Sequence, residues 1–223
     1  IDTVSRRIYT VYFMDLETRE VSEKSIPNTS GSITWANDNK TVFYNLKDLK
    51  TLRTERVMKY NLNIEDSEKE IYYEADETFS VYSYKTKSDK FIVIGSSATL
   101  SQEYRYIDAD KPDGEIKLFD KRVDDLEYSI SHFDDKWFII TNKDNATNFK
   151  LMVCEEGKTN SKNWVDFIPH RDDTLLEGID IFKDYLVVTE RNNGLRKIQI
   201  RPWNRKKNHY IEFDEEVYSL YSS

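Results

Sequence analysis

The sequence has few of the residues that characterise several large classes of protein. Its 223 residues include one cysteine, six glycines, four prolines and three histidines. A single cysteine, Cys154, excludes an intrachain disulfide framework and a cysteine zinc site. The scarcity of glycine and proline excludes collagen-like and low-complexity chains. No run approaches the roughly 20 apolar residues needed to cross a bilayer, so no transmembrane helix is predicted.

The spacing patterns of common catalytic and metal sites are missing as well. No two glycines lie four residues apart, which excludes the G-x-S-x-G turn that carries a hydrolase nucleophile. The histidines His132, His170 and His209 show no metal-ligand spacing. Asp108-Ala109-Asp110 and Asp113 lack the glycine and final glutamate of a calcium loop. We therefore expect no catalytic residue, no metal site and no cofactor in this chain.

The charge balance limits the partners. With 41 acidic and 33 basic residues the net charge is −8, which argues against a nucleic-acid partner because phosphates attract clustered cations. No membrane segment or signal peptide is visible, and the chain begins at Ile1 rather than methionine. We expect a piece of a longer, soluble protein, either cytoplasmic or periplasmic.

Aromatic and strand-forming residues are abundant, and one phrase is repeated. A short strand, a polar turn and an apolar run recur at residues 32–45 (SITWANDNKTVFYN), 83–95 (SYKTKSDKFIVIG), 131–142 (SHFDDKWFIITN) and 180–190 (DIFKDYLVVTE). Aligned on their turns at Lys40, Lys90, Lys136 and Asp184, the phrases are separated by 50, 46 and 48 residues. Apolar runs without alternation are typical of strands that are covered on both faces.

Two further strand-like segments follow each phrase, so each period predicts four antiparallel strands. These segments are residues 55–62 and 69–75, 103–109 and 115–121, 149–155 and 163–169, and 195–202 and 209–215. Four strands in roughly 40 to 50 residues are typical of a β-propeller blade. A β-sandwich or two small β-barrels are the alternatives, but neither repeats at a fixed interval.

We therefore predict an all-β fold, a β-propeller fragment with about four complete blades and two partial ones. The predicted units of this single domain are residues 1–28 (partial), 29–76, 77–122, 123–171, 172–215 and 216–223 (partial). Residues 7–14 and 20–26 are expected to end a preceding blade, and residues 217–220 to begin the next. Terminal strands of such a fragment expose unpaired edges, so the isolated chain is expected to dimerise or to close on itself.

The marks of WD40 and kelch repeats are absent, but several segments resemble another family. They are SRRIYTVYFMDLETREV (5–21), ITWANDNKTVFYN (33–45), RVMKYNLNIEDSEKEIYYEADETFSV (56–81), HFDDKWFIITNKDNATNFKLM (132–152) and LLEGIDIFKDYLVVTERNNGLRKIQI (175–200). In this order they resemble the propeller domain of the prolyl oligopeptidase family of serine peptidases, and within it oligopeptidase B, also called protease II. The resemblance runs from about Ser5 to Leu220.

The resemblance implies a function for the parent protein. In that family a seven-bladed propeller caps an α/β-hydrolase domain, which would be absent from this chain. The propeller would perform no chemistry and would gate the access of short peptides, with basic residues, to the catalytic domain. One alternative is a non-enzymatic propeller that acts as an interaction scaffold. A weaker alternative is a stand-alone hydrolase that uses paired carboxylates.

Two groups of charged residues are the candidate contacts. Arg6 and Arg7 lie in the SRR stretch that the family also carries, which implies an interdomain or substrate contact; exposed loop charges are the alternative. The acidic turns are expected at one mouth of the channel, where they would steer basic peptides, with solvated turns as the alternative. Their candidate residues are Asp38, Asp89, Asp134, Asp135 and Asp184. The cationic segment 196–207 is expected to protect the outer rim from strand addition.

Overall fold

The computed structural model describes residues 1–204, 207–215 and 218–220. Short antiparallel strands joined by turns form four sheets. The helical segments of the described residues are two single-turn 3-10 helices, Lys143–Asn145 and Ser161–Asn163, and none of them is long and apolar enough to span a membrane. The chain divides into two compact units, Ile1–Arg122 and Val123–Ser223, each with two sheets.

The first unit contains a five-stranded and a four-stranded sheet, each with its strands in chain order. The strands of the first sheet are β1 (Tyr9–Met14), β2 (Val21–Trp35), β3 (Thr41–Lys47), β4 (Thr54–Asn61) and β5 (Lys69–Tyr73). The strands of the second are β6 (Ser80–Lys85), β7 (Phe91–Ser97), β8 (Gln102–Asp108) and β9 (Lys117–Leu118).

The second unit contains two four-stranded sheets, again in chain order. The third sheet consists of β10 (Tyr128–Phe133), β11 (Lys136–Thr141), β12 (Lys150–Glu155) and β13 (Val165–Ile168). The fourth consists of β14 (Thr174–Ile181), β15 (Tyr185–Asn192), β16 (Leu195–Pro202) and β17 (His209–Tyr210). The outermost strands β9 and β17 have two residues each and are shorter than the predicted segments 115–121 and 209–215.

The four apolar runs of the repeated phrase form the buried strands β3, β7, β11 and β15. In β3 the consecutive residues Val42, Phe43 and Tyr44 are all 0% exposed. Because successive side chains of a strand point to opposite faces, this burial shows that both faces are covered. Each such side chain contributes about 1.5 to 3 kcal/mol by leaving water. The predicted all-β architecture of four-stranded antiparallel blades is confirmed.

Within each unit, one sheet packs its face against the other. In the first unit, Phe43 of β3 packs with Ile92 of β7 and Ile107 of β8. In the second, Leu151 of β12 lies in one cluster with Leu186 and other residues of the fourth sheet. Sheets that share a core in this way bury faces that a single blade would leave exposed.

The long strand β2 bends where the sequence predicts a boundary between blades. Asn28 and Gly31 have left-handed φ angles of 63° and 94°, and the pairing register shifts between Thr29 and Ile33. A Cβ on Gly31 would lie 2.9 Å from the Tyr9 ring, so the bend also requires glycine for space. The blade limits themselves stay a prediction.

The predicted strand at residues 217–220 lies partly outside the described residues. Residue 217 is not among them, and residues 218–220 form no strand. The expectation that this strand closes the fragment therefore stays a prediction.

Candidate functional site

The first acidic turn uses its carboxylate to hold its own backbone. The Asp38 carboxylate accepts hydrogen bonds from the amides of Lys40 (2.9 Å) and Thr41 (2.8 Å) and from the Thr41 hydroxyl (2.7 Å). Partial burial opposes ionisation, but these hydrogen bonds prevail and lower the pKa of Asp38. The main role of the Asp38 carboxylate is therefore to stabilise its own turn.

The second acidic turn lies beside the first within the same unit. Asn37 Nδ2 donates to the Asp89 carbonyl at 2.9 Å and to Asp110 Oδ1 at 2.7 Å. Lys85 Nζ donates to Asn37 Oδ1 at 3.0 Å and is 3.8 Å from the Asp89 carboxylate. The Asp89 side chain is 78% exposed, so its charge is available to solvent.

The third and fourth acidic turns, in the second unit, lie close to Trp203. Trp203 follows β16, and its main-chain amide donates to the Asp184 carbonyl at 3.1 Å. Its indole stacks on Phe133, next to Asp134, with ring centroids 5.4 Å apart and planes inclined by 11°. Asp134 and Asp184 lie in turns of different sheets, and Trp203 contacts the residue before Asp134 and the carbonyl of Asp184.

A cavity of about 730 Å³ opens beside this tryptophan, and we call it the Trp203 cavity. Its volume lies within the usual range for small-ligand sites. It is lined by aromatic and aliphatic residues, with carboxylates and ammonium groups among them. The lining residues are Phe133, Asp134, Asp135, Lys136, Phe138, Val153, Cys154, Glu155, Lys158, Asn163, Val165, Phe167 and Trp203.

Aromatic rings form one wall of the Trp203 cavity. Phe138 packs edge-to-face on Phe167 at 5.6 Å, and Trp203 lies 5.7 Å from Phe138. The indole Nε1 of Trp203 donates to the Phe182 carbonyl at 2.9 Å, which fixes the ring. The guanidinium of Arg201 lies 5.8 Å from the Phe167 centroid, and burial lowers the pKa of Arg201. The wall thus already accommodates one guanidinium.

The acidic rim of the cavity is partly neutralised. Glu155 pairs with Lys158 at 2.7 Å, and this hydrogen bond raises the pKa of Lys158. Asp134 and Asp135 are exposed and form no ion pair with another described residue. Asp134 has a left-handed φ of 57°, as Asp89 has (58°) in the equivalent turn of the first unit. Lys136 also lines the cavity and is exposed, so two carboxylates and one further ammonium group remain at this rim.

Arg6 and Arg7 lie in an ordered loop whose contacts are made by the main chain. The Asp2 carboxylate accepts hydrogen bonds from the amides of Arg6 (3.4 Å) and Arg7 (2.8 Å), and Lys47 Nζ donates to the Arg7 carbonyl at 2.5 Å. Both side chains are exposed. The loop presents two guanidinium groups to solvent, and their interdomain role stays a prediction.

A buried ionic network in the first unit serves the fold rather than a ligand. Glu74 is 4% exposed and pairs with Arg122, and it accepts hydrogen bonds from the hydroxyls of Ser96 (2.5 Å) and Tyr72 (2.8 Å). Burial opposes ionisation, yet the donors, Arg122 first among them, lower the pKa of Glu74 to about 2. The Arg122 guanidinium also lies 3.6 Å from the Phe79 ring centroid.

The lining of the Trp203 cavity combines aromatic rings with carboxylates. Among the described residues, no group of three or more His, Cys, Asp or Glu side chains is placed to hold a metal ion. Aromatic faces next to carboxylates form a binding surface for cations. The Trp203 cavity offers such a surface.

Sequence reasoning missed the aromatic part of this site. It placed Trp203 in the cationic segment 196–207, which it assigned to edge protection. In the structure β16 is an inner strand that pairs with β15 and β17, and its Arg196 donates to Glu177 at 2.6 Å. Residues 205 and 206 lie outside the described residues. A tryptophan in an otherwise charged turn was the available signal.

The whole chain is similar in sequence to known proteins. The family model described as "Prolyl oligopeptidase, N-terminal beta-propeller domain" matches residues 1–223. The chain is 36% identical over 220 residues to "Dipeptidyl aminopeptidase BI" of Pseudoxanthomonas mexicana, covering 98% of this chain and 30% of that protein. It is 31% identical over 215 residues to "Protease 2" of Moraxella lacunata, covering 95% and 30%. The chain thus spans about a third of the length of these curated relatives.

Solved structures show the same fold at lower identity. Oligopeptidase B from Leishmania major matches with a TM-score of 0.87 and 23% identity, over 95% of this chain and 31% of that one. Oligopeptidase B from Trypanosoma brucei matches with a TM-score of 0.82 and 22% identity, over 95% and 30%. At these identities the similarity shows the fold alone.

Proposed function

The chain belongs to the prolyl oligopeptidase family, as its N-terminal β-propeller domain, and on that premise we propose that it gates the access of short peptides to the catalytic domain of an oligopeptidase B-like serine peptidase. The observation that carries the proposal is the family match over residues 1–223. The relatives named as a dipeptidyl aminopeptidase and a protease support the peptidase assignment.

The proposed partner is an α/β-hydrolase domain of the same polypeptide. The relatives are about three times as long as this chain, which leaves room for such a domain. The chain itself lacks the G-x-S-x-G turn, so the nucleophile is assigned to that second domain.

Gating follows from enclosure of the active site. Opening between the domains would admit a short peptide, and closure would exclude water and folded proteins. The Trypanosoma brucei oligopeptidase B was solved in a closed form with covalently bound antipain. The study of two prolyl endopeptidases concerns the role of inter-domain dynamics in catalysis and specificity. Both structures support movement between domains in those proteins.

The exposed charges of the chain fit a preference for basic peptides. Asp89, Asp134, Asp135 and Asp184 are exposed in their turns, and carboxylates along a confined path raise the local concentration of cations. Asp38 contributes less, because its carboxylate is engaged in its own turn. We assign Arg6 and Arg7 to a contact with the catalytic domain, since guanidinium groups suit interdomain ion pairs.

The test begins with the coding sequence beyond Ser223 and continues with the whole protein. The frame is expected to encode G-x-S-x-G followed by Asp and His. Purified whole protein is then given a short fluorogenic peptide and, separately, the same peptide sequence in a surface loop of a folded protein. We expect cleavage of the free peptide and at least about a hundredfold lower kcat/KM for the folded host, a loss of the kind that poor access produces.

Two results would overturn the proposal. A reading frame without the G-x-S-x-G turn would refute the assignment to a peptidase. Equal cleavage of the free peptide and the folded host would refute the gating role. A mixture of both substrates is the control, because continued cleavage of the free peptide shows that the enzyme is active. The scaffold alternative is not favoured, since the named relatives are peptidases.

A further inference from the structure

We propose that the Trp203 cavity binds the guanidinium of an arginine side chain in a peptide. This goes beyond the proposed function, because the cavity lies within the second unit and its binding needs no catalytic domain. Binding can therefore be tested with this chain alone.

The shape of the cavity suits a long, flexible cation with an apolar stem. Its volume of about 730 Å³ is larger than one side chain needs, and it is open to solvent at the exposed turn residues Asp134 and Asp135. Val165 and Phe167, which alternate along β13, are 60% and 38% exposed and line the same space. The methylene stem of an arginine would pack on these two side chains, with its charged end directed to the rim.

The aromatic wall supplies faces for a planar cation. Among aromatic side chains, tryptophan makes the most favourable cation–π interactions. The ring of Phe167 lies 6.4 Å from that of Trp203. The guanidinium of Arg201 lies 5.8 Å from the Phe167 centroid, which shows that this ring contacts a cation, although the charge of Arg201 repels a second one. The planar guanidinium stacks on rings better than an ammonium does, which selects arginine over lysine.

The rim supplies the opposite charge. Asp134 and Asp135 adjoin the stacked pair of Phe133 and Trp203 and make no ion pair with a described residue. The ammonium of Lys136 also lines the cavity and offsets one of these two charges. Lys158 is held by Glu155 at 2.7 Å, which reduces its repulsion of an incoming cation. A carboxylate next to an aromatic face offers a guanidinium both hydrogen bonds and a stacking surface.

The tryptophan is held in place before a ligand arrives. Its amide donates to the Asp184 carbonyl at 3.1 Å and its indole Nε1 to the Phe182 carbonyl at 2.9 Å. A side chain that is already ordered loses little entropy on binding. A single arginine side chain on such a surface should bind with a dissociation constant on the order of 1 mM.

The experiment titrates the 223-residue chain with N-acetyl-arginine methylamide and, in parallel, with the citrulline analogue, which has nearly the same shape without the charge. Binding is followed by the indole N–H resonances, and Trp203→Phe identifies the Trp203 signal. We expect the arginine probe to shift that signal and the citrulline probe to bind at least about fivefold more weakly.

The carboxylate is tested with a matched pair of variants. Asp134→Asn should weaken the arginine probe about threefold or more, because one rim charge is lost. Asp89→Asn removes the same charge from a left-handed position in the equivalent turn of the first unit and should leave binding unchanged. Asparagine tolerates the left-handed conformation, so both variants are expected to fold.

Three results would overturn the inference. They are equal affinity for the arginine and citrulline probes, equal loss in Asp134→Asn and Asp89→Asn, and a Trp203 signal that does not respond to either probe. None of these results bears on whether the parent protein is a peptidase, so failure here is distinct from failure of the proposed function.

Discussion

Replacing Glu74 with glutamine should destabilise the chain strongly near neutral pH and only slightly in acid. Its carboxylate pairs with Arg122 and accepts hydrogen bonds from Ser96 (2.5 Å), Tyr72 (2.8 Å) and the Asp76 amide (3.0 Å). Glutamine keeps the size of the side chain but removes the charge that these donors stabilise. The partly buried Arg122 then loses its nearer carboxylate partner and keeps Asp76, at 4.0 Å.

The magnitude follows from the pKa of Glu74. In the folded chain it is about 2, against an ordinary value of 4.5. A difference of roughly 2.5 units corresponds to about 3 kcal/mol of folding free energy, at about 1.4 kcal/mol per unit. Because the folded value is the lower one, this contribution is complete above about pH 4.5 and is lost as the pH falls towards about 2. Breaking a buried ion pair by removing one partner costs a similar 3 to 5 kcal/mol.

The assay is urea unfolding, followed by tryptophan fluorescence and circular dichroism, at several values from about pH 7 down to about pH 2.5. The quantity of interest is the difference in unfolding free energy between the natural chain and Glu74→Gln. We expect about 3 kcal/mol at neutral pH and a decline through the acid range. Glu77→Gln, which changes an exposed carboxylate three residues away, is the control and should have little effect at any pH. The prediction would be refuted if the difference in unfolding free energy did not change with pH. An equal effect of Glu77→Gln would also refute it, because the effect would then not depend on the buried charge of Glu74.

Two other predictions concern packing and assembly. Gly95→Ala should lower the unfolding free energy by about 1 to 3 kcal/mol, because its Cβ would overlap the Tyr82 ring. Gly178→Ala, where nothing lies within 4 Å, is its control, and thermal melts that shift equally for both would contradict the prediction. The isolated chain should dimerise or close on itself, because Tyr12 and Met14 of β1 are 51% and 50% exposed. Sedimentation and solution scattering test this, and an open monomeric arc would argue against it.

The strand content could be predicted because the signal is local. In each repeated phrase a polar turn precedes an apolar run, as Asp134-Asp135 precedes Trp137–Ile140, and this short-range pattern indicates a hairpin. The bend of β2 was not predicted, although Asn28 and Gly31 tolerate the left-handed conformation that it needs. Sequence alone does not separate a bent continuous strand from two strands.

The acidic turns could be found from sequence, but their different roles could not. Asp38 and Asp134 each lie between the first two strands of a repeated phrase, but their turns differ in length and in what surrounds them. A threonine three residues after Asp38 binds its carboxylate, whereas Asp134 lies beside a ring contributed by a strand about 70 residues later. Contacts over such a separation depend on the packing of two sheets, and no local pattern contains them.

Trp203 shows why the site was harder to predict than the fold. Its position is fixed by the pairing of Tyr185 with Pro202, which brings the end of β16 to the turn at Asp184. The residues around it are charged, and a charged segment indicates an exposed edge when only composition is considered. Once β17 pairs with β16, that edge is covered, and the same segment contributes a ring to a cavity. The environment of an aromatic residue in a charged turn is therefore better predicted from the strand that ends there than from the neighbouring residues in sequence.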